Sequence, residues 1–487
     1  MKKLLLFTLF LVFTTSIFAQ KLSALIDYKS YYSPAGAPYL EISSFINGKT
    51  VTYLQNQDGK YQAEVRITVE AFQEDSVVNV MDFILMSEAF EDADRTTKPN
   101  FGEIKNFQLH NGEYILQFSL QDMFSDAKPI SYVDVVAIDY PKQEVSISDI
   151  SLYKEISKEL TGDIFDKYGF SLKPLFYGYV HDEIYSLLYS CEIYNTNELV
   201  GDEQIIIKSH ITGFENKLMP YPEAFYTTRA KAKPVVVTFG EIGIYKLPSG
   251  NYNLVVEVYN KDGVLLATNS YFFQRSNPKI AFNINDYNAI NIQNTFVDQI
   301  RDTAQLLQYV RFLFPISSPI EKEFYMTNLS RVSEESLRRF FYAFWLKRDA
   351  NNPEKAWAEY LAQVKHVNRE FGCKLKQGYR TDRGRVFLQY GPPNSIWESP
   401  YSAHAYPYEI WHYYYLENQT SVKFIFWNTD LVSNDYELLH SDKRGEFQDP
   451  FWKIKVTQRR TPNFNFEVTE PENYYGGNAK DDWFDHR

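Results

Sequence analysis

The chain has 487 residues, 23% charged and 44% hydrophobic, with 62 acidic against 50 basic side chains and a net charge of −12. An acidic surface repels phosphate backbones, and no dense run of Lys and Arg offsets it, so nucleic-acid binding is excluded as a function class. The length points to about three domains. Past the first 20 residues, no stretch reaches the roughly 18 apolar residues of a membrane-spanning helix.

Residues 1–20 have the order of a secretory signal peptide. Met1-Lys2-Lys3 is basic, Leu4 to Val12 is a short apolar core, and Phe13 to Ala19 leads to a cut before Gln20. The chain is therefore expected to be exported and to work in the periplasm or at the outer membrane. Loss of Lys2 and Lys3 makes the exported form more acidic still. Cys191 and Cys373 fall in different expected domains, Cys191 inside a strand pattern as a small core residue. An oxidising compartment permits a bridge, but the two are expected to stay apart. Two distant thiols do not make a structural zinc site, and no cofactor or metal is implied.

Two segments repeat one local design. In the first, Tyr39 to Asn47 is extended, Tyr61, Ala63, Val65, Ile67 and Val69 alternate, Gly112 opens Tyr114, Leu116, Phe118 and Leu120, and Tyr132 to Ile138 closes. In the second, Ile184 to Asn195 and Glu203 to Ile211 precede Tyr252, Leu254, Val256 and Val258, and Val264 to Phe273 closes. Period-2 alternation between Gly and Asp-Gly turns predicts antiparallel β-sandwiches of the Ig-like kind over 21–150 and 165–276, with 151–164 as connector. The 38 Tyr and 37 Phe are spread along the chain, as befits filling of β-rich cores more than a sugar-binding platform.

Residues 285–457 read as a helical segment leading into an α+β domain with an antiparallel sheet. Ile300, Ala304, Leu307, Val310 and Phe314 recur at helical spacing. Ser333 caps a second helix carrying Leu337, Phe340, Phe341 and Phe344. Asn352-Pro353 opens a third, with Trp357, Tyr360, Leu361, Val364, Val367 and Phe371 as its buried stripe and Gly372 as its end. After Gly378 the pattern returns to strands. Val386, Leu388 and Tyr390 alternate up to Gly391-Pro392-Pro393, followed by Tyr408 to Leu416, Val422 to Trp427 and Tyr436 to Ser441. The fold is thus expected to be multi-domain and mainly β. The Asn, Glu, Pro and Gly-rich tail, 458–487, is expected to be disordered.

The run from Gly378 to Pro393, GYRTDRGRVFLQYGPP, resembles the signature of the GWxTD-domain family of exported Bacteroidota proteins, with Tyr379 where the name-giving Trp would stand. Phe344-Trp345, Arg348-Asp349, Tyr408-Glu409-Ile410-Trp411 and Tyr436-Glu437-Leu438 are similar to the family as well. Upstream, so are Ser148-Asp149-Ile150 and Cys191 to Asn195. The resemblance implies no established activity. The motif residues are Gly378, Tyr379, Thr381, Asp382, Arg383, Gly384, Arg385, Gly391, Pro392 and Pro393. On a strand, Arg383 and Arg385 would share a face and, with Arg380, form an anion pocket. Alternatively Asp382 pairs internally with an Arg while Gly378 and Gly384 permit tight turns and Gly391-Pro392-Pro393 ends the strand.

No serine-hydrolase elbow, zinc-protease helix, phosphate loop or dinucleotide fingerprint occurs. The leading expectation is a non-catalytic envelope adaptor or scaffold that binds another envelope protein through its C-terminal domain, with peripheral outer-membrane attachment possible. A second reading is a hydrolase of an envelope polymer with its site in 378–446, built from Asp382, Arg383, His404, Glu409, His412 or His440. A third is carbohydrate binding by the sandwich modules. Asp75-Ser76-Val77 and Asp302-Thr303-Ala304 resemble bacterial O-glycosylation sequons.

Overall fold

The computed structural model describes residues 22–457 except 34–35, 74–75, 142, 215–219, 281–282, 375, 401–404, 417–418, 432 and 450. The signal peptide, the 458–487 tail, Asp75 of one sequon and His404 lie outside the described residues. The chain divides into two units by contacts. One comprises 22–28, 41–107 and 113–136, and the other 29–40, 108–112 and 137 onward.

The first unit holds most of strands β1 (Ala24–Tyr32), β2 (Pro38–Ile46), β3 (Glu64–Gln73), β4 (Ser76–Met86), β5 (Phe101–Gln108), β6 (Gly112–Asp122) and β7 (Ile130–Ile138), whose residues 29–32, 38–40, 108, 112 and 137–138 belong to the second unit. They form a three-stranded sheet, β1-β2-β5, and a four-stranded sheet, β4-β3-β6-β7. The predicted alternation is visible as burial. Val65, Ile67 and Val69 point inward with their cross-strand neighbours Leu120 and Phe118, while Glu64, Arg66 and Thr68 point outward. Tyr28 stacks on Phe118 at 6.2 Å, which brings the two sheets of the sandwich into contact.

The second unit begins with another sandwich. Its strands are β8 (Ser151–Ser157), β9 (Phe170–Pro174), β10 (Ser186–Tyr194), β11 (Gln204–Gly213), β12 (Pro220–Lys231), β13 (Val235–Gly243), β14 (Gly250–Tyr259) and β15 (Leu265–Arg275). Residues 151–164 are not a simple connector, because β8 pairs with both β9 and β10 inside a six-stranded sheet. Leu187, Tyr189, Cys191 and Ile193 of that sheet share one core with Ile205, Ile207, Leu254, Val256 and Phe273 of the five-stranded sheet opposite. Cys191 and Cys373 are both free thiols.

Among the described residues, five α-helices lie between the second sandwich and the last sheet: α1 (Thr303–Phe312), α2 (Pro319–Thr327), α3 (Glu334–Arg348), α4 (Pro353–Glu370) and α5 (Asp382–Tyr390). The first predicted helix is shorter than its pattern, since Ile300 ends a separate turn and Asp302 caps α1. Ser333 caps α3 as expected, accepting from the Ser336 amide. At α4 the Asn352 side chain makes no cap. The Asp349 carboxylate instead takes the amides of Asn351 and Asn352. Phe340, Phe341, Phe344, Trp345, Trp357, Tyr360 and Tyr379 form an aromatic core between these helices.

The expectation that fails is the strand after Gly378. Residues 382–390 are helix α5, and the sheet begins only at β16 (Ser395–Ser399). Thr381 is the N-cap, its Oγ1 accepting from the Gly384 amide at 3.1 Å. Gly391, at φ +84°, terminates the helix. The alternation of Val386, Leu388 and Tyr390 is local coincidence, because the helix turns Val386 toward the sheet core and Leu388 toward the helical core. Strands β17 (Tyr408–Leu416), β18 (Gln419–Trp427) and β19 (Glu437–Ser441) complete an antiparallel sheet in the order β16-β17-β18-β19.

Candidate functional site

The motif runs through a short turn, Gly378–Arg380, into helix α5. Its two early glycines have ordinary φ angles, and what they supply is close approach instead of an unusual turn. A Cβ on Gly378 would stand 1.9 Å from the Val367 carbonyl oxygen, and one on Gly384 would stand 1.9 Å from the Gly378 carbonyl oxygen. Tyr379 is buried against Phe312, ring centroids 5.1 Å apart, and its amide donates to Asn368 Oδ1. Thr381 Oγ1 donates to the Gly378 carbonyl at 2.8 Å while it caps α5.

Helical geometry separates the charged residues that a strand would have aligned. Asp382, in the first turn where the helix dipole favours a carboxylate, accepts the Leu438 amide at 2.8 Å and so ties α5 to β19. Arg383 is buried. Its Nη1 donates to Glu409 Oε1 at 2.5 Å, and its Nη2 donates to Asn434 O and Oδ1 at 2.6 and 2.8 Å. The guanidinium lies over the Tyr436 and Phe371 rings at 4.3 and 5.1 Å, and its Nε is buried without a partner. Burial pushes the Glu409 carboxyl up, against the opposing pull of Arg383 and the Trp411 indole N–H.

Arg385 points elsewhere, into a two-pronged pair with Glu446 that also takes in Gln389 and Tyr390. Arg380 is exposed. The three arginines therefore do not converge on one pocket. Nor, among the described residues, does an arginine form an ion pair with Asp382. Past the helix, the Gly391 carbonyl accepts from Tyr413 OH at 2.9 Å, and Pro392-Pro393 lead into Asn394, which brackets β17 by bonds with His412 O and the Tyr414 amide.

The histidines lie across the sheet from this cluster. Trp411 and Tyr413 of β17 pack toward Val386 of α5, while Tyr408 and Ile410 face Leu439 and Trp452 on the other side. His412 is on the Ile410 face, with Nε2 3.1 Å from Ser421 Oγ. His440, opposite Ile425, stacks on Trp452. Its Nδ1 accepts the Asp449 amide at 2.9 Å, so in the neutral ring Nε2 carries the proton and donates to Asp442 Oδ1 at 3.0 Å. The β16-β17-β18-β19 sheet thus separates the Glu409–Arg383 pair from His412 and His440. Among the described residues no three His, Cys, Asp or Glu side chains are grouped to hold a metal.

Sequence reasoning missed the acceptor half of the cluster: Asn434, Glu446 and the 441–449 loop. The loop also reaches the second sandwich. Gly445, at φ +86°, packs against Phe214 and Phe272, Lys443 lies 5.8 Å over the Phe214 ring, and Arg444 pairs with Asp149 at 3.4 Å. Asp149 in turn accepts the Ser30 amide and hydroxyl, both at 2.8 Å. The Ser148-Asp149-Ile150 run thus has a place in the architecture of the C-terminal domain, which its distance in sequence concealed.

These features define a class: a β-sandwich protein joined to an α+β domain whose signature helix is fastened by two ion pairs. Residues 271–461 match the GWxTD domain, and the chain carries that domain. No curated protein matches the sequence. Among solved structures, a glycosyl hydrolase family 2 member from Bacteroides cellulosilyticus is 5% identical with a TM-score of 0.20, over 48% of this chain and 28% of that one. The fibronectin(III)-like modules of Clostridium thermocellum CbhA are 12% identical with a TM-score of 0.14, over 54% of this chain and 98% of that one. Overlays this loose carry nothing about function.

Proposed function

We propose that this protein is a non-catalytic adaptor or scaffold of the cell envelope, exported by residues 1–20 and binding another envelope protein through its C-terminal domain. The observation that carries the reading is the engagement of the motif. Thr381, Asp382, Arg383 and Arg385 each direct their polar atoms to partners within the same unit, on Gly384, Leu438, Glu409 and Glu446. A catalytic group needs a polar atom left facing substrate, and these are spent on the fold. No helix among the described residues is long and apolar enough to cross a membrane, which is compatible with a peripheral place.

Affinity purification of the tagged protein from gently solubilised envelopes, followed by mass spectrometry, tests the proposal. A stoichiometric envelope-protein partner is expected. Recovery of the chain alone would overturn the adaptor role and direct attention to enzymatic assays of 378–446.

A further inference from the structure

Among the described residues, strand β4 (Ser76–Met86) is the outermost strand of its sheet. Terminal strands offer a row of backbone donors and acceptors for pairing, and proteins ordinarily blunt them with Lys, Pro or short length. Here the strand has 11 residues, SVVNVMDFILM, and contains neither Lys nor Pro. Val77, Val78, Val80, Ile84 and Met86 are between 47% and 55% exposed. A register shift opposite Ala71/Phe72 disturbs the first part of the strand, leaving Asn79–Met86 in regular pairing with β3.

We propose that β4 pairs antiparallel with β4 of a second copy of this chain, joining two four-stranded sheets into one across a twofold axis. This inference stands apart from the adaptor reading. The argument for a second copy over a foreign strand rests on charge. The one ionised side chain of β4, Asp82, is already held by Arg66 through Nε at 2.9 Å and by Thr68 Oγ1 at 3.0 Å. The edge therefore offers no free charge to recognise a charged partner, and an apolar strand of matching length is available in β4 itself. Pairing must keep the outward side chains on one face, which restricts the centre of the regular stretch to Asp82 or Phe83. Centring on Asp82 sets two carboxylates opposite each other. Centring on Phe83 sets Val80 opposite Met86 and Asp82 opposite Ile84, so like charges never meet.

Sedimentation velocity over a micromolar concentration series of the exported full chain tests this, with circular dichroism confirming that each variant is folded. The wild type is expected to dimerise. The double variant V80K/M86K, which places lysines opposite each other in this register, should weaken the dimer by about tenfold or more, the equivalent of about 1.4 kcal/mol. V135K, on the exposed face of the opposite terminal strand β7, should leave it intact. Hydrogen exchange provides a second readout, as β4 amides should gain protection with concentration in the wild type alone. A wild type monomeric throughout, whether or not a foreign strand takes the edge, contradicts the proposal. So does a dimer indifferent to V80K/M86K.

Discussion

Arg385 of helix α5 and Glu446 of the loop after β19 form a two-pronged ion pair, with Nη1 to Oε1 at 2.7 Å and Nη2 to Oε2 at 2.9 Å. The loop that supplies Glu446 also supplies Lys443, Arg444 and Gly445 to the second sandwich. The signature helix is thereby linked through a single short loop to the β-sandwich that precedes the domain. Glu446→Gln keeps the side chain's shape but leaves the partly exposed Arg385 guanidinium without its counter-ion. A loss of about 1.5–3 kcal/mol is expected in urea unfolding, the range for hydrogen bonds to a charged group.

The same carboxylate sets an acid limit. Burial pushes Glu446 up, but the Arg385 charge and hydrogen bonds, the Tyr390 hydroxyl and the Lys443 charge together hold it below its ordinary value of 4.5. The native state therefore takes up this proton at lower pH than the unfolded chain does. The stability it contributes is complete above about pH 4.5 and is lost as the pH falls through the lower native value. Urea midpoints followed from pH 7 to pH 3 should show wild type and Glu446→Gln converging at the acid end.

Lys443 is buried, and burial, with the Arg444 charge adding to it, lowers its amine to about 8. Between the ordinary value near 10.5 and about 8, the unfolded chain binds a proton that the native state refuses. Wild-type stability should therefore fall as the pH drops through that window and change no further from this group below it. Lys443→Met should be more stable than wild type at pH 7, with the advantage shrinking toward pH 10.5. Urea midpoints at pH 7, 9 and 10.5 check both statements.

The two motif glycines should tolerate no side chain. Gly378→Ala and Gly384→Ala each drive a methyl into a backbone carbonyl oxygen, and losses above about 3 kcal/mol are expected, at the severe end for single substitutions. Gly391→Ala meets no neighbouring atom but must hold φ +84° with ψ −174°, a backbone region essentially reserved for glycine, at about 1–3 kcal/mol. Comparing the urea midpoints of the three variants checks this order.

Thiol labelling separates the two cysteines. Burial pushes the Cys191 thiol up to about 12, while Cys373 is partly exposed. Near pH 8 the folded protein is expected to take up one maleimide promptly, at Cys373, and the second only on unfolding. Two equally fast labels would contradict the burial of Cys191.

The strand alternation from Val65 to Val69 and from Tyr252 to Val258 was legible because each strand has one buried face, which writes a period of two into the sequence. Helices α3 and α4 were legible from Ser333, Pro353 and their wide aromatic stripes. The 382–390 helix was not, because its nine residues straddle two cores. Val386 serves one and Leu388 the other, so the apolar residues mimic a strand. Thr381 three residues before Gly384, and Gly391 just past the end, were the cap signals that outweighed the alternation. The partners of Arg383 and Arg385 were illegible for a different reason. Glu409 and Glu446 lie 26 and 61 positions away, and separation along a chain says nothing about which carboxylate a guanidinium meets.

The most direct test of the proposal, an architectural motif on an adaptor, is the melting temperature of Asp382→Ala and His412→Ala beside their function in cells. Loss of the Asp382 carboxylate strands the Leu438 amide, at about 1–3 kcal/mol, which corresponds to a drop of several degrees in a unit of this size. The account predicts that any loss of function follows such a drop. Function abolished with both variants melting at the wild-type temperature would contradict it.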